Sequence, residues 1–473
     1  MVEKLHVSLV HCGAREAIIG KAFVESPNYD VKLDVLGKFV NPLLNELVNA
    51  SEGKYYIRDT AEKGNIPDIV YTCRYSDLVF IGNETPIINA LPDALRKEKI
   101  PVIAPNGDFS LEGDKNKTRL ILEEVHPQAN PRFYYIDPEK SGWKEEVRKA
   151  IDELYGKVAL KPIESKYGKG VIVEGSHFTC GDAYEKALDT AKAGPFLIEE
   201  KVIGQEWSGQ YLCDSKGHIE AFPASRDFKR AFENDKGPNT GGMATISDNN
   251  ELLPFMLREE FDEGKTIVEE IVAYQKQRDD YKDGVLTGTK YPGFSLTGSG
   301  NKMFEHNDRF GDPEGMNALS VLKNDFVDVC LHMIDGNIPR LEFEPKAVAT
   351  IYAVPLTYGG FIKEYTGDKT IRMNKGEMSA QTQIYPGSVE LVNGDVRVMS
   401  SRSVAVVSKA DTLEEALTIV NEDITKIDGP LRHRTDVDMD YVRKCASFMR
   451  RERAERAWLN QDIPAMGSSQ LWQ

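Results

Sequence analysis

The sequence predicts an α/β and α+β multidomain protein: a parallel sheet first, a mixed central region, then a small β-rich domain. Three observations carry this. The first hundred residues alternate short apolar runs with helical spacing. The middle mixes strands with glycine-bearing loops and dense charge. After about Phe343 the chain becomes strand-rich, with turns at Gly359-Gly360, Asn374 to Gly376 and Asn393-Gly394. A chain of 473 residues is too long for one small core and implies roughly two to four domains.

In order, "LHVSLVHCG" reads as a strand ending at Gly13, and "AREAIIGKAFVES" as a helix. "DLVFIGNET" is a buried strand ending in a turn. "PIINALPDALRKEKI" is a single helix and "PVIAP" a further strand. Such alternation predicts a Rossmann-like parallel sheet covered on both faces, with ligands at the carboxyl ends of its strands. His11 to Glu16 and Gly82 to Pro86 fall at such ends. "LEGDKNKTRLILEEV" is a helix with Lys115, Lys117 and Arg119 near its start. "KVALKPIESKYGKGVIVEG" is a strand pair around a glycine loop, and "SKADTLEEALTIV" a strand leading into a capped helix. The expected divisions are 1–108, 109–343 with a subdomain at about 130–200, 344–440, and a charged helical tail at 441–473.

Hydrophobic residues make up 41% and charged residues 28%, the composition of a globular chain. The net charge of −16 argues against a nucleic-acid or membrane-surface binder. Any bound anion must therefore be held by a local cluster of donors. The six cysteines lack metal-ligand spacing and fit reduced thiols, and "MVEKLHVSLVHCG" enters a strand with no leader pattern. A cytoplasmic monomer or homodimer is expected.

Four stretches carry chemistry. Lys161, inside the apolar run "VALKPI", needs an anionic neighbour, because an unpaired buried ammonium is costly. Gly168, Lys169 and Gly170 form a loop short enough to fold over a phosphate. Glu199 and Glu200 end the strand "FLIEE", with Glu206 beyond the turn. There, backbone and carboxylate groups suit an adenine and a ribose. In "KMFEHNDRFGDPEG", Glu305 and Asn307 share a strand face and suit magnesium. Arg309, in phase with them, could neutralise a transferring phosphoryl group, and "GDPE" presents Asp312 and Glu314. "SRDFKRAFENDKGPNTGGM" sets Arg226, Lys229, Arg230 and Lys236 around a loop that reads as neither helix nor ordinary strand.

The chain resembles the ATP-grasp superfamily and, within it, the glycinamide ribonucleotide synthetases (phosphoribosylamine–glycine ligases). The resemblance runs from "GARE" to "SRSVAVV…DTLEEA". Its most specific strings are "KRAFENDKGPNTGGM" and "EHNDRFGDPE", against "DHKRA…GDxGPNTGGM" and "EFNARFGDPE". It implies an ATP-grasp domain pair and ligation of glycine to 5-phosphoribosylamine through glycyl phosphate. Lys115 and Lys161 would contact ATP phosphates under the Gly168–Gly170 flap. Glu199, Glu200 and the Val202 backbone would surround adenine, with Glu206 on ribose. Glu305 and Asn307 would hold Mg²⁺ or Mn²⁺. Asp227, Lys229 and Arg309 would serve catalysis. Gly13, Arg15, Glu84, Pro238, Asn239, Thr240, Gly241, Asp312 and Glu314 would frame the small-molecule substrates. The chain departs from the pattern at His11 and Cys12, where the family has Gly and Ser, and at Phe228, where it has His. Those departures leave open an ATP-grasp ligase for another amine and acid, or a silent ATP-binding regulator.

Overall fold

The computed structural model describes residues 3–163 and 170–461. Five parallel strands form the N-terminal sheet, in the order Tyr55–Ile57, Tyr29–Gly37, Glu3–Val10, Leu78–Ile81, Val102–Ile103. The strand order reverses between Glu3–Val10 and Leu78–Ile81. A crevice opens at such a switch point, beyond the carboxyl ends of the two strands. His11 to Gly13 and Gly82 to Glu84 line it. The helix expected over "PIINALPDALRKEKI" is two helices, Glu84–Ile88 and Leu91–Lys97. Ala90 between them is left-handed, with φ 64°, and Pro92 lacks the N–H that a continuous helix would use.

Residues 133–200 form a four-stranded antiparallel sheet, ordered Phe133–Ile136, Phe196–Glu200, Val158–Pro162, Ile172–Val173. Helices Trp143–Glu153 and Ala183–Ala191 cover it, and Ile136, Val147, Leu160, Phe196 and Ile198 give it a core of its own. A second antiparallel sheet joins Gln205–Ser208, Gly288–Thr297, Tyr211–Cys213 and Ile219–Ala221, with Gly300–Asn307 paired to Gly288–Thr297. The two sheets meet where Lys161, on the first, donates to the Phe304 carbonyl of the second.

A third sheet spans the expected division at 343/344. Ala244–Ser247 pairs antiparallel with Ala347–Pro355, which pairs in turn with Val404–Ala410. The C-terminal β-rich region is therefore welded to the central one by backbone hydrogen bonds and one apolar cluster. The stretch expected to be neither helix nor ordinary strand is partly a strand. Arg230–Phe232 and Lys236–Asn239 pair as a bulged ribbon, leaving Thr240 to Gly242 as the loop. The charged tail begins as the helix Met439–Gln461, with Val442, Cys445 and Met449 as its buried stripe, and its residues 462–473 lie outside the described residues. No helix among the described residues is long and apolar enough to cross a membrane.

A charged cleft between two sheets

Lys161 sits on the strand Val158–Pro162 with its ammonium buried. The partner it required is Glu199, whose Oε2 lies 2.6 Å from Lys161 Nζ. Lys161 also donates to the Phe304 carbonyl at 3.1 Å, which ties its sheet to the strand Gly300–Asn307. Arg119 approaches the other Glu199 oxygen, at 3.4 Å. Burial opposes ionisation of Glu199, but Arg119 and Lys161 overcome it and hold the carboxyl below its ordinary range. Burial lowers the Lys161 and Lys115 pKa values; Lys161 depresses Lys115 further, and Arg119 depresses Lys161. Such a cluster favours an incoming anion. Lys115 opens the helix Lys115–Val125, capped by Asp114, and its Nζ lies 3.4 Å from the Ile163 carbonyl.

Glu199 was expected around adenine, yet its carboxylate is taken by Lys161 and Arg119. Glu200 is likewise engaged: Arg132 donates to it from Nε at 3.0 Å and from its backbone at 3.1 Å. Strand alternation explains the split, because neighbouring side chains on Phe196–Glu200 point to opposite faces. What remains for an adenine there is the backbone at the strand end, including half-buried Val202. Glu206 is exposed at the start of the neighbouring strand Gln205–Ser208. Gly170 is exposed with φ +97°, whereas Gly168 and Lys169 lie outside the described residues.

The four cations of the basic stretch diverge. Lys229 turns into the cleft and pairs with Glu305, Nζ to Oε1 at 2.7 Å. Arg226 points the opposite way, Arg230 donates to the Gly237 carbonyl at 2.9 Å, and Lys236 is exposed. Burial disfavours the Lys229 ammonium, but Glu305, Glu206 and Asp227 together raise its pKa above the ordinary lysine value. Asn307 donates from Nδ2 to the Tyr291 carbonyl at 3.1 Å, which leaves its Oδ1 as the acceptor, 3.5 Å from Arg309.

Arg309 lies past the end of that strand, between two carboxylates. It is 2.9 Å from Glu112 and 3.3 Å from Glu84. One guanidinium cannot neutralise both. Burial pushes Glu112 up to about 8, while Arg309 and Arg15 hold Glu84 low against the cost of burial. Arg15 donates to the Phe310 carbonyl at 2.8 Å, and the Gly13 N–H to Glu16 at 2.7 Å, so both fix the crevice wall.

Asp227 is buried, and its Oδ1 has no hydrogen-bond partner. Burial and the neighbouring Glu314 raise its pKa well above the usual carboxylate range. Glu314 accepts from Tyr291 at 2.5 Å and Ser208 at 3.3 Å. A buried acceptor without a donor, beside a second carboxylate, suits an ammonium group. Gly242, with φ +99°, lets the loop close on this spot: a Cβ there would meet Asp227 Oδ1 at 2.8 Å and Pro313 at 2.7 Å. Thr240 bonds the Lys229 carbonyl through N–H and hydroxyl, at 2.7 and 2.9 Å, while Pro238, Asn239 and Gly241 lie on the rim.

Sequence reasoning missed Arg402, Glu112 and Tyr291. Arg402 donates to the Gly241, Gly242 and Asp312 carbonyls and, at 2.8 Å, to the Asp312 carboxylate. Tyr352 donates to the other Asp312 oxygen at 2.5 Å. The signal for Arg402 was an arginine at the start of "RSVAVV", too slight to read alone. Glu112 had none, because its partners lie almost two hundred positions away.

The described cleft thus gathers Lys115, Lys161, Lys229 and Arg309 with Glu199, Glu305 and Asn307, and sets Asp227, Glu314 and Asp312 at one end. Residues 139–315 match the family model for the ATP-grasp (A) domain of phosphoribosylglycinamide synthetase. Phosphoribosylamine–glycine ligase from Methanobrevibacter smithii is 31% identical over 94% of this chain and 99% of its own. The enzyme of that name from Methanocella arvoryzae is 34% identical over the same shares. Among solved structures, phosphoribosylamine–glycine ligase from Thermotoga maritima superposes with a TM-score of 0.72 at 20% identity, covering 91% of this chain and all of that one. The chain belongs to the phosphoribosylamine–glycine ligase family.

Proposed function

We propose that this protein joins the carboxyl group of glycine to the amine of 5-phosphoribosylamine, converting ATP to ADP and phosphate. The observation that carries the reading is the convergence of Lys161, Lys229, Glu305 and Arg309 on one cleft, fed by two sheets and the N-terminal crevice. A carboxylate is a poor electrophile. Transfer of the γ-phosphoryl group to it breaks the γ-phosphorus bond to the β–γ bridging oxygen and gives glycyl phosphate. The amine then forms the C–N bond, phosphate departs with the carboxyl oxygen, and the amine loses a proton.

Both reacting groups of the first step are anions. Lys115 and Lys161 would offset the ATP phosphates, and Lys229 and Arg309 the developing charge between them. Asp227 and Glu314 would hold the glycine ammonium, which leaves its carboxylate facing Lys229. Arg15, Glu84 and the Asp312 turn would frame the phosphoribosylamine from the crevice side. The Val202 backbone and Glu206 would take adenine and ribose. Fixing the partners in contact contributes about 7 kcal/mol or more in comparable reactions.

Glu305 and Asn307 fit a hard divalent ion such as Mg²⁺ or Mn²⁺. Both are oxygen donors, and the Asn307 amide is turned so that its oxygen faces the cleft. Held by these residues, the ion would supply charge neutralisation. The free cysteines among the described residues suit a reducing compartment such as the cytoplasm.

The deciding assay is ADP release with Mg-ATP, glycine and freshly generated phosphoribosylamine. Release that requires both co-substrates is expected. Release that is indifferent to them, or that needs another amine and acid, overturns the reading.

A further inference from the structure

The basic stretch is held from beneath by the last hundred residues, and one contact there reaches the nucleotide end of the cleft. Tyr441, in the first turn of the helix Met439–Gln461, donates its hydroxyl to Asp235 Oδ2 at 2.7 Å. The Tyr441 hydroxyl oxygen in turn accepts from Arg226 Nη2 at 2.7 Å. Arg226 Nη1 donates at 2.6 Å to the backbone carbonyl of Glu206. The Tyr441 ring packs on Phe228, centroids 4.7 Å apart, and so occupies the side of the chain where the family pattern has a histidine. Arg434, fully buried, pairs with Asp235 and Asp436 and lies 5.3 Å from the Phe228 ring centroid.

Arg226 is buried, and its Nε has no partner. Its guanidinium is therefore fixed by two acceptors, the Glu206 carbonyl and the Tyr441 hydroxyl. With the hydroxyl gone, a buried donor is left unpaired, and the guanidinium has reason to turn toward another acceptor. That movement would carry the backbone of Gln205–Ser208, and with it the Glu206 side chain.

We propose that Tyr441 is a positioning residue for nucleotide binding, acting through Arg226 on the Glu206 strand. The assignment of Glu206 to the nucleotide rests on the ligase reading above.

The test is calorimetric binding of ADP to the full chain, with ATP kinetics alongside. Tyr441→Phe keeps the ring and the Phe228 contact. It is expected to weaken ADP binding at least ~5-fold and to raise the KM for ATP alike, with kcat within about 2-fold. Asp235→Ala removes the other hydroxyl contact but leaves Arg226 its acceptor, and ADP binding should stay within about 2-fold. Arg226→Gln should weaken binding as Tyr441→Phe does, and the double variant should be no worse than Arg226→Gln alone. A lowered melting temperature with unchanged ADP affinity, or additive effects, overturns the proposal. Should Tyr441→Phe fail to fold, Arg226→Lys is read in its place: it keeps the charge but not the two-acceptor fork, and unchanged ADP affinity overturns the proposal. A wild-type protein that binds ADP yet ligates nothing sinks the ligase reading and leaves this test standing.

Discussion

Lys229 Nζ and Glu305 Oε1 lie 2.7 Å apart, although 76 positions separate them in the chain. The pair joins the loop strand to the strand that carries Asn307. Each partner sets the charge of the other: Glu305 raises the Lys229 pKa, and Lys229 holds Glu305 low against burial. In the proposed reaction both have a second task, so neither can be replaced neutrally. Lys229→Ala is expected to cut kcat at least ~100-fold while circular dichroism and the melting curve remain those of a folded protein. Near-normal turnover would remove Lys229 from the chemistry.

Arg309 is the second fixed cation. Arg309→Ala should also lose at least ~100-fold in kcat. It further leaves Glu112 without its counter-charge and Glu84 with Arg15 alone. Arg309→Lys keeps a charge but not the fork that reaches both, and should recover only part of the loss. Steady-state rates for the two variants, each checked for folding, decide this.

Arg402 ties the Gly241-Gly242 loop to the Asp312 turn with four donations. Lysine there preserves charge and loses the fork. Arg402→Lys is expected to raise the KM for glycine about 10-fold, with kcat changed less and the urea midpoint near that of the wild type. An unchanged KM for glycine would mean that the loop holds its shape without the clamp.

Burial and Glu314 raise the Asp227 pKa well above the usual carboxylate range. If the glycine ammonium binds its anion, binding releases a proton and tightens as pH rises toward that raised pKa. The KM for glycine should therefore fall as pH rises through the window above the usual carboxylate range. Asp227→Asn should flatten that dependence and raise the KM at every pH. A wild-type profile already flat across this window would deny Asp227 the role.

Glu112, buried beside Arg309 and pushed up to about 8, makes a stability prediction. The unfolded chain gives up this proton near the ordinary glutamate value, and the folded chain keeps it longer. The contribution is thus fully favourable at low pH and is lost as pH rises from about 4.5 toward 8. Glu112→Gln should reduce the fall in urea midpoint between about pH 5 and pH 8. An identical slope in wild type and variant would place the proton elsewhere.

Much of the fold was legible because it follows from local rules. The apolar runs "LHVSLV" and "LVFI" are strands wherever they sit, and the glycines after them mark the crevice of a parallel sheet. Glu305 and Asn307 share a face because side chains on a strand alternate. Lys161 announced an anionic partner, since a buried ammonium needs one, but nothing local said that the partner would be Glu199 rather than a ligand.

By itself the sequence determined the element types, the parallel N-terminal sheet, the family motifs and the residue types able to meet phosphate. Only the tertiary structure decided which charges meet. It turned Lys229 toward Glu305 and Arg226 toward Tyr441, set Arg309 between acids 225 positions upstream and closer, and brought Arg402 onto a loop 160 positions away. The reason is physical. Strand and helix periodicities act over a few residues, whereas an ion pair depends on distance in space, which the packing of the sheets fixes.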